Sequence, residues 1–347
     1  MVGNVTQDYT HISLGLIGCG AWGKNLARNF KALGVLRAVA DASPARTQEF
    51  SELFNVPTLS APELVKSAEI QAVIIATTAE EHFTLAKAAL LSGKDVYVEK
   101  PLTLTNPEAL ELCKIAREQN AILMVGHILK YHPSFQALLK QIQDGAIGDI
   151  LYIQSVRHGL GRIRRKEDVL WDFAPHDLAM ILEIAGESPL SVSAEGGAAL
   201  VQNYATIASL NLEFPSGLKA SVSTSWVSPI KEQRLVVTGT KGVIVFDDRK
   251  SWEEKVILFK NHVLWNEDMP HTNFECEGIA IPHPQAEPLK AECQHFLDAI
   301  LSREIPHTPG EEGLLITTIL EVAQEALLTQ KAIFMDDAPQ PQKLRAI

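Results

Sequence analysis

A glycine-rich turn between a buried strand and a helix constrains the fold of this chain more than any other feature. The turn is Gly18-Cys19-Gly20-Ala21-Trp22-Gly23, and it follows the apolar run Ile12 to Ile17. Gly18 permits the tight turn, Gly20 lets the backbone approach a pyrophosphate, and Gly23 lets the helix pack closely. The helix start then offers free N–H groups and its positive dipole end to phosphates. The motif predicts a dinucleotide site, although an ordinary glycine turn has the same letters.

The alternation of apolar runs and amphipathic stretches continues to about residue 127. Further strands are predicted at 36–40, 72–77, 95–100 and 121–126, and helical patterns lie between them. Strands that are apolar on both faces and alternate with helices are typical of a parallel sheet covered on both sides. The sequence therefore predicts an α/β fold, a doubly wound Rossmann domain over residues 1–128.

The pattern changes in the second half of the chain. Between about 189 and 265 polar and apolar residues alternate strictly, with hairpin turns expected at 214–217 and 240–242. Helices are predicted at roughly 288–302 and 311–329. This pattern indicates a second, α+β domain over residues 129–347, in which helices accompany a mostly antiparallel, open-faced sheet. The Ser- and Thr-rich outer face between 205 and 226 is either solvated or in contact with another subunit.

Charge and cysteine content exclude several classes of protein. Lys and Arg number 31 against 42 Asp and Glu, a net charge of −11, which argues against nucleic-acid or anionic-membrane binding. No window approaches the ~18 apolar residues of a spanning helix, and the N-terminus lacks a signal pattern. The four cysteines show no CxxC pairing, as expected in a reducing compartment. We expect a cytoplasmic protein.

Asp41 bears on the choice of cofactor. It ends the second strand, 23 residues after Gly18 (41 − 18). A carboxylate there can accept both ribose hydroxyls and repel a 2′-phosphate, which favours NAD over NADP. Arg46 is the counter-signal, because a nearby arginine sometimes serves a 2′-phosphate. The alternative role for Asp41 is helix capping, although Ser43 is also placed to cap.

A second cluster, Glu99-Lys100-Pro101, lies at the carboxyl end of a parallel strand. Ligands of open α/β sheets bind outside those ends, so Lys100 is expected to face the crevice. Thr77 and His82, which follow the third strand, complete the residues assigned to the cofactor.

The third element is the run Trp171 to Asp177, which contains Asp172 and His176 four residues apart. Pro175 is expected in the first turn of the helix that carries them. A carboxylate one helical turn from an imidazole sets its tautomer and raises its basicity, which suits a general base acting on a hydroxyl. The alternative is a buried pair that pins the helix start.

Two further clusters differ in promise. Arg157, Arg162, Arg164, Arg165 and Lys166 precede the catalytic helix, and two arginines can clamp a diphosphate, although a solvated loop has the same composition. Five potential metal ligands lie in one stretch, at spacings that match no structural zinc pattern: His271, Cys276, His283, Cys293 and His295. No metal is predicted.

Together these motifs resemble the glucose–fructose oxidoreductase/inositol dehydrogenase (Gfo/Idh/MocA) family, and the resemblance extends to the late stretch Glu287 to Leu328. It implies a nicotinamide-dependent oxidation or reduction of a sugar or cyclitol carbon, and an open sheet that commonly makes dimer or tetramer contacts. Carried over by position, Lys100, Asp172 and His176 match the family's catalytic constellation. Family members differ on whether the Lys or the His exchanges the proton.

The run Val169 to Leu178 and the segment from Gly126 through Tyr131 and His132 are similar to the sugar-nucleotide branch of that family. The resemblance implies a UDP-linked amino sugar oxidised at C3, with UDP-N-acetylglucosamine of lipid A precursor synthesis as first choice. It also implies substrate contacts at Tyr131 and His132, to which the basic cluster adds Arg157 and Arg162 as candidates for the diphosphate. The alternatives are UDP-N-acetylglucosaminuronate, a free cyclitol or monosaccharide, or a dinucleotide-binding sensor without catalysis.

Overall fold

The computed structural model describes residues 8–160, 168–198, 204–260, 263–266, 269–272 and 277–335, with only the backbone described at 263–266 and 269–272. By its internal contacts the chain groups into two compact units. The first comprises Met1–Ile128 and Glu287–Thr317, and the second comprises Leu129–Ala286 and Thr318–Ile347.

Parallel strands and helices alternate in the first unit. Its elements are β1 (Leu14–Ile17), α1 (Ala21–Ala32), β2 (Leu36–Ala40), α2 (Pro44–Phe54), α3 (Ala61–Lys66), β3 (Ala72–Ile75), α4 (Ala79–Leu91), β4 (Asp95–Glu99), α5 (Asn106–Glu118) and β5 (Leu123–Gly126). Within the described residues these strands form a five-stranded parallel sheet in the order β2-β1-β3-β4-β5. The predicted Rossmann fold is confirmed.

The strand order fixes where a ligand can bind. The chain moves from β1 to β2 on one side and then returns to β3 on the other, so the topological switch point lies between β1 and β3. Both strands are buried along their whole length, and Gly18 and Thr77 lie just beyond their carboxyl ends. The glycine turn therefore opens at the position where doubly wound sheets bind their ligands.

Helix α3 was not expected from the apolar pattern, because six residues are too few to show a helical period. It is held at its start by a capping box. The Ser60 hydroxyl accepts a hydrogen bond from the Glu63 backbone N–H, and the Glu63 carboxylate accepts one from the Ser60 N–H at 2.8 Å. This reciprocal pair satisfies helix-start donors that the chain would otherwise leave unbonded.

The second unit is built around a larger sheet. Its elements are α6 (Pro133–Gln143), β6 (Ile150–His158), α7 (Val169–Ala185), β7 (Ser191–Gly197), β8 (Ile207–Glu213), β9 (Lys219–Ser225), β10 (Glu232–Gly239), β11 (Gly242–Asp247), β12 (Val256–Lys260), β13 (Val263–Asn266), β14 (Met269–Thr272), β15 (Ile279–Ala280) and β16 (Ile333–Phe334). In the described part of the chain a nine-stranded sheet runs β15-β12-β11-β10-β6-β9-β8-β7-β16.

Most neighbours in this sheet pair antiparallel, as predicted, whereas β6 and β9 pair parallel. Strand β8 alternates exposed and buried residues throughout, and α7 packs against the buried face of β8 and β9. On the opposite face Ser209 lies beside Ser223, and Asn211 beside Ser221. The open face is therefore lined by small polar side chains where β8 and β9 pair.

Two helices complete the chain: α8 (Pro288–Ser302) in the first unit, and α9 (Gly310–Thr329), whose residues from Thr318 onward belong to the second. Helix α7 begins earlier than expected, because the buried Asp168 carboxylate accepts hydrogen bonds from the N–H groups of Leu170 and Trp171. Pro175 consequently lies inside the helix, and the prediction that it occupies the first turn is wrong. None of the described helices combines the length and apolar character that crossing a membrane requires.

Candidate active site

The glycine turn after β1 has the geometry of a phosphate-binding loop. Gly18 adopts φ +112°, and a Cβ there would lie 2.4 Å from the Ala76 carbonyl oxygen. A Cβ at Gly23 would lie 1.9 Å from the Gly18 oxygen, so only glycine lets α1 start this close to the turn. Around Gly20, by contrast, a Cβ would meet nothing within 4 Å.

The start of α1 is correspondingly open to an anion. Gly20 occupies the N-cap position without a side-chain cap, and the first turn contains no acidic residue. The first backbone N–H groups of a helix have no partner inside the helix, and the helix dipole makes that end positive. These features of the loop fit the pyrophosphate of a dinucleotide.

The Asp41 carboxylate is hydrogen-bonded on both sides by backbone N–H groups. Its Oδ2 accepts a hydrogen bond from the Cys19 N–H at 2.7 Å, and its Oδ1 accepts one from the Ser43 N–H at 2.8 Å. The carboxylate therefore joins the glycine turn to the start of α2. Each carboxylate oxygen has a second lone pair, so Asp41 can still accept from ribose hydroxyls. Arg46 lies exposed on α2.

Glu99, the last residue of β4, is buried and receives two hydrogen bonds. Its Oε1 accepts from Trp22 Nε1 at 2.6 Å and from the Tyr97 hydroxyl at 3.1 Å. Burial raises the pKa of Glu99 to about 7, and these two donors and the charge of Lys100 offset part of that effect. Trp22 belongs to the glycine motif, so this contact joins the phosphate-binding loop to the end of β4.

The segment that follows Glu99 is held from behind by a histidine. Lys100 is half-buried and is joined to Pro101 by a cis peptide bond. The buried His82 places Nδ1 2.7 Å from the Pro101 carbonyl oxygen, which can only accept, so Nδ1 carries the proton. Burial lowers the pKa of His82, which keeps the ring neutral. His82 thus supports the Lys100 segment, while Thr77 lies half-buried beyond β3.

In the second unit, α7 carries Asp172 and His176 one turn apart, both half-buried. The Asp172 Oδ2 accepts a hydrogen bond from Trp226 Nε1 at 3.0 Å. Trp226 is 1% exposed and follows β9, so the sheet fixes the Asp172 carboxylate. The sequence analysis missed this tryptophan, because no local pattern relates position 226 to position 172.

Arg157 is occupied within the fold. Its Nε donates to Asp177 Oδ2 at 2.7 Å and its Nη2 to Asp177 Oδ1 at 3.1 Å, while the Ser155 hydroxyl donates to the same Oδ1 at 2.6 Å. Both Arg157 and Asp177 are buried. The bidentate pair attaches α7 to β6 and uses one edge of the guanidinium. Arg162 and its basic neighbours at 164–166 lie outside the described residues.

The two remaining predicted substrate residues lie just before α6. His132 Nδ1 accepts a hydrogen bond from the Ser134 N–H at 3.1 Å, which caps α6, and its ring stacks on Trp252 at 5.5 Å. Burial lowers the pKa of His132 to about 4. Tyr131 ends a short 3-10 turn and is half-buried. His132 therefore serves as a helix cap within the core of its unit.

The histidines and cysteines weighed as metal ligands have other surroundings. His283 Nε2 lies 2.7 Å from the Ser134 hydroxyl, His295 Nε2 accepts from the His307 N–H, and Cys293 is a buried free thiol. The side chains of His271 and Cys276 lie outside the described residues. Among the side chains that the structure describes, no group of three or more His, Cys, Asp or Glu could hold a metal ion.

Comparison with known families places both halves of the chain. Residues 12–127 match the family described as "Oxidoreductase family, NAD-binding Rossmann fold", and residues 135–245 match the GFO/IDH/MocA C-terminal domain. The glycine turn and Asp41 lie within the first match. The residues expected to hold the cofactor thus belong to an NAD-binding domain, and the predicted cofactor is confirmed.

The relatives of this chain differ in activity from one to another. UDP-N-acetylglucosamine 3-dehydrogenase from Acidithiobacillus ferrooxidans is 30% identical over 92% of this chain and 99% of its own length. Inositol 2-dehydrogenase from Rhizobium meliloti is 28% identical over 69% of this chain and 76% of its own. The solved structure of the Acidithiobacillus ferrooxidans enzyme has a TM-score of 0.81 at 25% identity, covering 92% of this chain and 98% of that one.

Proposed function

Because this chain belongs to the Gfo/Idh/MocA oxidoreductase family, we propose that it is an NAD-dependent dehydrogenase that oxidises the C3 hydroxyl of a UDP-linked amino sugar. UDP-N-acetylglucosamine is the preferred substrate, and lipid A precursor synthesis the proposed pathway. The observation that carries this choice is the similarity to UDP-N-acetylglucosamine 3-dehydrogenase over 92% of the chain. The sequence resemblance, which matches Lys100, Asp172 and His176 by position to the family's catalytic constellation, supports it.

The proposed chemistry divides between a hydride and a proton. Bound NAD supplies the hydride acceptor. Gly18, Gly20 and the start of α1 would hold its pyrophosphate, and Asp41 its adenosine ribose. His176 accepts the proton of the substrate hydroxyl, with Asp172, fixed by Trp226, as its orienting carboxylate. Lys100 donates a hydrogen bond to the same oxygen and stabilises the negative charge that develops there.

The diphosphate of the substrate is assigned to the basic segment that contains Arg162. The bidentate pair with Asp177 uses two of the five N–H groups of Arg157, so only the two on Nη1 and the second on Nη2 remain for a diphosphate while that pair is intact. Free N-acetylglucosamine, which lacks the diphosphate, should then be a far poorer substrate than its UDP form. Each lost charge-assisted hydrogen bond costs ~1.5–3 kcal/mol.

A direct assay tests the proposal. NADH formation is followed by absorbance after mixing the protein and NAD with UDP-N-acetylglucosamine, UDP-N-acetylglucosaminuronate, N-acetylglucosamine or myo-inositol. Turnover of UDP-N-acetylglucosamine that exceeds the others in kcat/KM supports the assignment. Turnover of the free sugar at a comparable rate would show that the enzyme does not recognise the diphosphate.

A cyclitol or monosaccharide dehydrogenase is the second candidate. It is favoured by the inositol 2-dehydrogenase similarity, whose identity of 28% is close to that of the sugar-nucleotide relative. The same three side chains would then act on a smaller alcohol. Myo-inositol as the best substrate in the same assay would establish this alternative. A dinucleotide-binding sensor would give no turnover with any alcohol and has no need for Lys100, Asp172 and His176 together.

We also propose that the protein is a homo-oligomer, a dimer or tetramer, that uses the open face of the nine-stranded sheet. This face is lined by Ser209, Asn211, Ser221 and Ser223, and Ile207 on the same strand is 43% exposed. Small polar side chains let two sheets approach closely, and closed symmetry makes such a face self-complementary. Light scattering at micromolar concentration tests the proposal, and a monomer would contradict it.

A further inference from the structure

A second buried carboxyl lies behind Glu99, on helix α8 of the same unit. Glu292 is 0% exposed, and the titratable groups around it are Tyr97 and Glu99 on β4 and the neighbouring thiol of Cys293. None of the roles assigned to the cofactor or substrate uses Glu292. A fully buried acid beside another acid needs a physical explanation, because two carboxylates in one apolar site repel each other.

Hydrogen-bond donors around Glu292 are in short supply. The Tyr97 hydroxyl has one proton, which it donates to Glu99 Oε1 at 3.1 Å. Neither carboxyl oxygen of Glu292 receives a hydrogen bond from the residues that the structure describes. An ionised Glu292 would therefore be a buried anion without a donor, which is among the most costly arrangements in a protein interior. A neutral acid has a proton to give, and the Tyr97 oxygen can accept it.

We propose that Glu292 is a positioning residue, a neutral carboxylic acid that donates its proton to the Tyr97 oxygen and so leaves the Tyr97 proton on Glu99. The hydrogen bonds then run in one direction, from Glu292 to Tyr97 and from Tyr97 to Glu99. Burial, with Glu99 close by, holds the pKa of Glu292 well above its usual range, in agreement with a neutral acid.

The consequence reaches the proposed chemistry through Glu99. With the Tyr97 proton in place, Glu99 is held by two donors, one of which is the Trp22 indole of the glycine motif. Lys100 is the next residue along the chain. An ionised Glu292 would compete for the Tyr97 proton and remove one of these donors from Glu99. The neutral acid thus fixes the relation between the phosphate-binding loop and the Lys100 segment.

The space around these groups is shaped for the arrangement. A Cβ on Gly126, the last residue of β5, would lie 2.6 Å from the Tyr97 hydroxyl oxygen and 2.9 Å from each Glu99 carboxyl oxygen. A side chain at this position would displace the Tyr97 hydroxyl and the Glu99 carboxyl group from where they meet. Because one strand, β4, and two helices, α1 and α8, supply the members of the network, it is a property of the folded unit and not of one local motif.

This inference rests on the proposed role of Lys100, but its tests use the cofactor and the carboxyl group and not the sugar. Three variants are compared with the wild type for NADH affinity by fluorescence titration and for thermal stability: Glu292→Gln, Glu292→Met and Tyr97→Phe. Glutamine keeps a donor for Tyr97, so its NADH Kd should stay within about twofold. Methionine has no donor, and Tyr97→Phe removes the middle of the chain; each should weaken NADH binding about fivefold or more, the size expected for one hydrogen bond.

The second readout is the infrared spectrum. At pH 8 the wild type should show the carbonyl stretch of a neutral carboxylic acid, and Glu292→Gln should lose that band. Glu304→Gln, which changes an exposed acid after α8, is the matched control and should keep it. The proposal is overturned if the band is the same in wild type and Glu292→Gln, if glutamine impairs NADH binding as much as methionine, or if methionine binds NADH like the wild type. Should Glu292→Met fail to fold, Tyr97→Phe breaks the same chain from the other side.

Discussion

Trp22 Nε1 donates to Glu99 Oε1 at 2.6 Å, so a residue of the glycine motif is tied to the residue that precedes Lys100. The two positions are 77 residues apart in the chain. Trp22 lies in the first turn of α1, and Glu99 is the last residue of β4. The bond relates the phosphate-binding loop to the proposed catalytic lysine without any ligand, so cofactor binding and Lys100 placement should respond together to changes at either residue.

Glu99 should make stability depend on pH. Its pKa in the folded state is raised to about 7, so the folded protein favours the protonated acid more than the unfolded chain does. The stability that this provides is complete below pH ~4.5 and is lost as pH rises through about 7. Glu99→Gln removes this titration. As pH rises across that window, the free energy of unfolding of the variant should therefore increase relative to that of the wild type by on the order of 1–3 kcal/mol. Urea unfolding from pH 5 to 8.5 measures the difference in free energy of unfolding between the variant and the wild type. If the stability of the variant relative to the wild type falls as pH rises, burial does not raise the pKa of Glu99.

Gly20 and Gly23 should respond differently to the same substitution. A Cβ at Gly23 would overlap the Gly18 oxygen at 1.9 Å, so Gly23→Ala should displace α1 and lower the melting temperature without cofactor. A Cβ at Gly20 meets nothing within 4 Å, so Gly20→Ala should melt like the wild type yet bind NADH about tenfold or more weaker, because the methyl occupies pyrophosphate space. Calorimetry and NADH titration separate the two effects. Unchanged NADH binding in Gly20→Ala would show that the pyrophosphate does not bind against Gly20.

Much of the first unit was predictable because its signals are local. The strand β2, the starts of α5 and α8 and the termination of α4 at Gly93 follow from apolar runs and from Pro and Gly positions. The glycine motif and Asp41 are also local, since both lie in one strand–helix–strand unit. The return of Glu287–Thr317 to the first unit is not local, because an amphipathic helix does not encode which sheet its apolar face covers.

The positioning residues could not be predicted from the sequence, because their contacts are also not local. Trp226 meets Asp172 across 54 positions, and Tyr97 and Glu292 come together only when β4 and α8 pack. Arg157 illustrates the opposite case. Its charge and its place before α7 predict a ligand contact, whereas Asp177, in the same motif as His176, binds its guanidinium through two hydrogen bonds. A charge pattern indicates that a cation is present, but not whether the fold or a substrate neutralises it.

Asp41 should determine the choice between NAD and NADP. Its carboxylate is fixed by the N–H groups of Cys19 and Ser43, so it cannot turn away from a 2′-phosphate. We expect NAD to be preferred by at least about tenfold in kcat/KM, or ~1.4 kcal/mol. Asp41→Ala should reduce the difference in kcat/KM between NAD and NADP, mostly by weakening the binding of NAD. Glu49→Gln on α2 removes a nearby negative charge and serves as the control. Equal efficiency of the wild type with both cofactors would contradict this role.

Substitutions of Arg157 and Arg162 should have different effects, because Arg157 stabilises the fold and Arg162 is proposed to bind the substrate. Arg157→Met leaves the buried Asp177 without its bidentate partner and should lower the free energy of unfolding by about 3–5 kcal/mol. Arg162→Met should leave the melting temperature unchanged and raise KM for the UDP-sugar by about tenfold or more. Thermal melting and steady-state kinetics distinguish the two. A normal KM in Arg162→Met would direct the search for the diphosphate contact to Arg164, Arg165 and Lys166.

His176 and Lys100 should differ in how they shape the pH–rate profile. A base that removes the hydroxyl proton near neutral pH is best matched by an imidazole, whose ordinary pKa is ~6.5, whereas an ammonium at ~10.4 must be strongly depressed to serve. His176→Ala should therefore lower kcat by about 10²–10⁴ and abolish the ionisation on the rising limb, with NADH affinity nearly intact. Lys100→Met should also lower kcat, through lost stabilisation of the alkoxide-like oxygen, but should keep that ionisation. Asp172→Asn, which changes the partner of the imidazole while still accepting from Trp226, should shift the limb and not remove it. If His176→Ala retains the wild-type ionisation and most of its turnover, the histidine positions the substrate and Lys100 accepts the proton.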